Sequence, residues 1–216
     1  MSQSKTKKIL IGIFLAAVMI SSCNKKESAV APNISNEALT TVVLALKNTN
    51  APYDSDTATW QQLLGANGVP LPIDTSKAIL NLHANCLYTA QVLIYDKTQN
   101  PPTDVSAEIL QRENYHLFFF QPTPVSPSNF FVSDTTTSIP GTPINPSGPY
   151  LNLTVKRTDW DTNNPPMQVG LSDNFITGAA SSGHLRVVLR HQPNAKNGTY
   201  PPGSSDLDVS YSVTIY

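Results

Sequence analysis

His116 and His191 both sit in apolar, strand-like segments and are the residues of this chain most suited to metal chemistry. Imidazole nitrogens carried on strands can meet across a sheet and hold zinc or copper. An imidazole buried in such a segment needs a polar partner in any case. The two side chains are therefore expected to approach each other. Nitrogens more than about 8 Å apart could not share an ion bound at roughly 2 Å by each. His83 and His184 fall on the polar parity of their segments and read as surface residues. A second candidate is Asp159-Trp160-Asp161-Thr162-Asn163. Asp159 and Asp161 have the alternate oxygen spacing of a calcium loop, without the glycine and distal glutamate that close an EF-hand. An Asx-rich turn between strands accounts for the same residues. Asp54-Ser55-Asp56 is a shorter fragment of that kind.

Other chemistries have little support. The sequence holds no Gly-x-Ser-x-Gly elbow, Walker loop, dinucleotide fingerprint or His-Glu-x-x-His. It predicts a protein that is not an enzyme, with no cofactor beyond a possible divalent metal. Arg186 and Arg190 share one strand face, and Asp206 and Asp208 lie on the polar parity of the next strand. Cross-strand ion pairing is expected there, ahead of an anion site. Thr57 in Asp56-Thr57-Ala58 and Thr135 in Asp134-Thr135-Thr136 resemble the Asp-Ser/Thr-apolar acceptor of Bacteroidota O-glycosylation.

Strands must position these residues. Leu207, Val209, Tyr211, Val213 and Ile215 alternate with polar residues, as do Leu185, Val187 and Leu189, and Leu151, Leu153 and Val155. The same period of two runs through Cys86 to Ile94, Ala78 to Leu82 and Val42 to Leu46. Tyr115 to Phe120 is apolar on both parities, which predicts a central strand covered on both sides. Thr103 or Asp104 can cap a short helix from Val105 to Arg112. The stretch 122–149 carries seven prolines and reads as a long loop. Seven or more short strands with turn-rich connections predict an all-β fold, an antiparallel Ig-like β-sandwich with one short helix. In the last hairpin, pairs numbered to a sum of 398 place Leu189 opposite Val209 and Arg190 opposite Asp208. A slip of two residues keeps the same parity.

The N-terminus sets the location. Lys5, Lys7 and Lys8 precede the apolar run Ile9–Ile20, which is too short to span a bilayer and reads as a signal segment. Ile20-Ser21-Ser22-Cys23 resembles the lipobox of bacterial lipoproteins, which makes Cys23 the lipidated first residue of the mature chain. Expected boundaries are a signal peptide over 1–22, a flexible tether over 23–36 and a β-sandwich domain over 37–216. Asn24-Lys25-Lys26-Glu27 partly resembles a Bacteroidota surface-export signal; a solvated start to the tether is the other reading. Removing the signal leaves eleven basic residues against 15 acidic ones. No basic footprint for nucleic acid remains. With Cys23 acylated, Cys86 has no disulfide partner and is expected as a buried thiol.

Two blocks carry a family resemblance. Asp104-Val105-Ser106-Ala107-Glu108-Ile109-Leu110 runs into His116-Leu117-Phe118-Phe119-Phe120, and Leu189-Arg190-His191-Gln192-Pro193-Asn194 precedes Asp206-Leu207-Asp208-Val209. From about residue 37 onward the chain resembles small Bacteroidota lipoproteins labelled "type 1 periplasmic binding fold superfamily protein". Family members commonly show Arg-His-Glu-Pro where this chain has Gln192. The label implies two α/β lobes, whereas the period-two alternation predicts a sandwich. Together these readings imply a non-enzymatic binding or accessory lipoprotein at the outer membrane, held by its lipid. An outer-membrane transporter or another envelope protein is the expected partner, and metal capture by the strand histidines is the alternative.

Overall fold

The computed structural model describes residues 39–124, 148–200 and 202–216. The signal, the tether, Cys23, Thr135 and most of the proline-rich stretch lie outside these residues. The chain divides into units over Met1–Pro32 and Asn33–Tyr216, and the described residues all belong to the second. That unit is an all-β sandwich with one short helix.

Its strands are β1 (Thr41–Asn48), β2 (Ser55–Gln61), β3 (Asp74–Lys77), β4 (Ile79–Leu82), β5 (Leu87–Asp96) and β6 (Thr103–Asp104). After helix α1 (Val105–Gln111) come β7 (His116–Thr123), β8 (Leu153–Arg157), β9 (Ser172–Thr177), β10 (Ser181–His191) and β11 (Ser204–Ile215). One sheet has the order β3-β2-β1-β5-β9-β8, with β6 on β5, and the other has the order β4-β11-β10-β7. All pairs are antiparallel except β4 on β11. No α/β lobes are present among the described residues.

The core follows the alternation. Val42, Leu44 and Leu46 of β1, Tyr88 to Ile94 of β5 and Phe175 of β9 face Leu80, Leu82, Phe118, Phe120, Val187 and Val209 across the sandwich. Fully burying such a side chain contributes about 1.5–3 kcal/mol. Cys86 is a buried free thiol, as its parity predicts. The Tyr211 hydroxyl crosses the core and donates to the Val42 carbonyl at 3.0 Å, joining the two sheets. Helix α1 starts where expected: Asp104 Oδ1 accepts from the Ser106 and Ala107 amides at 3.0 and 3.3 Å. Val105 and Ile109 then pack into the core.

Three expectations need correction or completion. First, β10 and β11 do pair antiparallel with inward residues matched, but the register sum is 396: Leu189 faces Leu207 and Val187 faces Val209. Parity permits both registers, and local anchoring decides. Arg186 reaches diagonally to Asp208, while Arg190 turns to Ser205 and the Pro202 carbonyl. Second, β7 ends its sheet among the described strands. Both its faces are nevertheless covered, with Leu117 and Phe119 packed on Val188 and Tyr200 outside the main core. Its free edge is partly met by a strap, where the Phe118 amide donates to the Val169 carbonyl at 2.8 Å. Third, β2 and β9 lack an apolar run; β9 turns Asp173 and Thr177 inward beside Phe175.

Candidate metal centre

The pairing of β7 with β10 sets His116, the first residue of β7, directly opposite His191, the last residue of β10. Their facing nitrogens, His116 Nε2 and His191 Nδ1, lie 3.1 Å apart. The expected approach of the two histidines is therefore present. Asp206, expected from its parity to face the arginines, joins the histidines instead: its Oδ2 lies 3.8 Å from His116 Nε2 and 3.9 Å from His191 Nδ1. These three side chains form the one group among the described residues whose ligand atoms lie together as a metal set.

Backbone geometry explains how Asp206 arrives. Leu189 pairs with Leu207, but Arg190 pairs with Ser205, so Asp206 is an extra residue in β11. Such a bulge bends the strand and re-aims a side chain. Without it, Asp206 would share the outward parity of Asp208. Gly203 permits the turn that leads in. Its φ is +78°, and a Cβ there would collide with the His191 carbonyl oxygen. Only glycine tolerates both conditions. Arg190 then holds the turn through the Pro202 and Gly203 carbonyls, at 3.0 and 2.5 Å, with its guanidinium 4.5 Å above the Tyr200 ring.

The tautomer of His116 is fixed from behind. Its Nδ1–H donates to the Arg112 carbonyl, at the C-terminal end of α1, at 3.0 Å. The Nε2 lone pair is thereby directed at His191 and Asp206, an arrangement that orients metal-binding imidazoles. Without a metal, His191 Nδ1–H donates to that lone pair. Burial pushes the His116 imidazole down to about 4, and repulsion from His191 adds to the effect. Burial also lowers His191. The Asp206 carboxyl is pushed up to about 6 by burial, with Arg190 opposing. Its Oδ2 has no hydrogen-bond partner among the described residues.

The donor set fits a small divalent ion. Tetrahedral coordination with bonds of about 2.0–2.1 Å separates donor atoms by about 3.3 Å. The nitrogens already meet that spacing, and a carboxylate shift of about half an ångström brings the oxygen to it. His116 is fully buried, whereas the His191 and Asp206 side chains retain 10% and 11% exposure. Solvent reaches the site from that side.

Asp159 and Asp161 do not join the histidines, and their oxygens are engaged in structure. Asp159 accepts from the Gly170 and Leu171 amides at 2.7 and 2.9 Å. Asp161 accepts from the Met167 and Asn163 amides and from Lys196 Nζ at 2.7 Å. The bond from the Asn163 amide to Asp161 Oδ1 is that of an Asx turn. Burial alone would raise the Asp161 carboxyl, but its Lys196 and amide donors hold it below the usual range. Lys196 also donates to the Glu113 carbonyl at 2.9 Å. That bond fastens the loop after His191 to the turn before His116. Asp54 and Asp56 are similarly occupied, by Asn48 and by the Asn81 amide. Thr57 is exposed on β2.

Comparison with protein-family models, curated proteins and solved structures returns no match.

Proposed function

We propose that this protein is a non-enzymatic lipoprotein of the cell envelope, anchored through Cys23 at the outer membrane, that captures a divalent transition metal with His116, His191 and Asp206. The observation that carries the reading is the convergence of two imidazole nitrogens and a carboxylate oxygen that has no hydrogen-bond partner among the described residues, with no separation above 3.9 Å. Two nitrogens and one oxygen favour zinc or copper over magnesium or calcium. An outer-membrane transporter or another envelope protein is the natural recipient or partner in this reading, and no nucleic acid is involved.

Metal analysis after dialysis of chelator-stripped protein against zinc tests it. One ion per chain is expected, with affinity reduced at least about tenfold in Asp206→Asn and further in His116→Gln. Zinc retained equally by both variants would refute the site.

A further inference from the structure

We infer that the β2–β3 hairpin, residues 62–73, docks into the lipid surface that holds the Cys23 anchor. The inference rests on the lipidation reading above but concerns a different part of the molecule. Residues Gln62 to Ile73 include no charged side chain. Leu71 N donates to Leu63 O, and Gly65 N donates to Val69 O, both at 2.8 Å. Leu64 bridges to Pro70. The segment is therefore a small hairpin in its own right. Side chains of successive residues point to opposite faces, so Leu63, Val69 and Leu71 share one face and Leu64 takes the other.

Neither face is buried in the domain. Leu63, Leu64, Val69, Leu71 and Ile73 are 37%, 36%, 63%, 45% and 53% exposed. They are five of the twelve large hydrophobic residues found exposed among the described residues, gathered within eleven positions. Exposed apolar side chains scattered singly need no explanation, but a contiguous group marks a contact surface. Between the hairpin and Lys97–Thr98 lies a cavity of about 330 Å³. Lys97 thus stands at the edge of the apolar group, where an ammonium suits lipid phosphate.

The position of the tether selects the occupant. The hairpin begins at Gln62, whose amide donates to the Thr40 carbonyl at 2.8 Å, and Lys97 N donates to Thr40 Oγ1 at 2.8 Å. Thr40 directly precedes β1, where the segment from Cys23 joins the domain. Sixteen positions separate Cys23 from Leu39. That chain spans at most about 55 Å even when fully extended. An acylated Cys23 therefore keeps Leu39 within that distance of the bilayer, with the root of the hairpin beside it at Thr40. The high local concentration makes weak apolar insertion effective.

The test uses the full chain, purified from membranes and reconstituted in phosphatidylethanolamine–phosphatidylglycerol vesicles with or without brominated acyl chains. Tryptophan is placed by Val69→Trp and, as a control on α1, by Leu110→Trp, each read against the parent chain, whose Trp60 and Trp160 set the background quenching. The expected result is quenching by brominated lipid at position 69 alone, reduced several-fold by adding Leu64→Asp and Leu71→Asp. Near-ultraviolet circular dichroism confirms that those variants remain folded. Intact mass reads Cys23 acylation separately. An acylated chain without quenching at position 69 overturns the docking, as does equal quenching at positions 69 and 110. Quenching without acylation upholds the hairpin and overturns the anchor. Absence of both overturns both. Shielding of position 69 only by a co-purifying envelope protein would assign the surface to a protein and overturn this proposal.

Discussion

His191 Nδ1 lies 3.1 Å from His116 Nε2 because the last residue of β10 and the first of β7 are direct cross-strand partners. The contact is thus a product of sheet register, and Arg112, through the His116 Nδ1–H bond, decides which nitrogen faces inward. Loading this pair and Asp206 with zinc should stabilise the fold. At free zinc one hundred times the dissociation constant, linkage gives about 2.7 kcal/mol. For a chain of this size that raises the melting temperature by about 5–10 °C. Differential scanning calorimetry with zinc and with chelator checks it, and Asp206→Asn should lose most of the shift.

Proton linkage at the metal-free site has opposing signs. His116 is held down to about 4 in the fold, against about 6.5 when unfolded. The unfolded chain therefore binds more protons across that window, and this group's contribution is lost as pH falls from 6.5 to 4. His191 acts in the same direction. Asp206, pushed up to about 6 from an unfolded value near 3.9, holds its proton longer in the folded chain. Its contribution is full below 3.9 and lost as pH rises through 6. Asp206→Asn should therefore steepen the gain in stability between pH 4 and 6.5, and His116→Gln should flatten or reverse it. Urea midpoints measured in chelator at several pH values decide the matter; identical slopes in all three chains would contradict the assignment.

Lys196 and Asp161 form an ion pair at 2.7 Å with side-chain exposures of 1% and 0%. Removing one partner leaves an uncompensated buried charge, a loss of about 3–5 kcal/mol. Lys196→Met should lower the urea midpoint accordingly. Arg186→Ala, which breaks the half-exposed pair with Asp208, should cost no more than about 1 kcal/mol.

Gly203→Ala tests the bulge. A Cβ at that position collides with the His191 carbonyl oxygen, so the turn must shift and carry Asp206 with it. Zinc affinity should fall by at least about tenfold, while Gly198→Ala, where a Cβ meets nothing within 4 Å, should leave the site intact. The φ at Gly198 is also positive, +80°, so the pair of variants separates backbone strain from the collision. Isothermal titration with zinc on both variants provides the comparison.

Legibility in the sequence followed the physics of alternation. Strands with one apolar face, such as β5 and β11, declare themselves because every second residue must be buried. β2 offers only Ala58 and Trp60 as inward residues, and β9 buries Asp173, so neither carries the pattern. The two histidines were readable as candidates because imidazoles in apolar strands stand out. Asp206 was not, because a single inserted residue reverses parity without changing composition. Gly203 was the available sign of irregular backbone just upstream. The two-residue difference in the β10–β11 register was equally silent, since apolar residues stay opposite apolar residues in either alignment.

The last strand, β11, lies between β4 and β10 and pairs with both. Without residues 204–215, β4 and β10 each lack a neighbour and the second sheet does not close. The strand that joins the sheet is thus the one that carries Asp206, so damage to the sheet's closure and loss of the candidate site coincide.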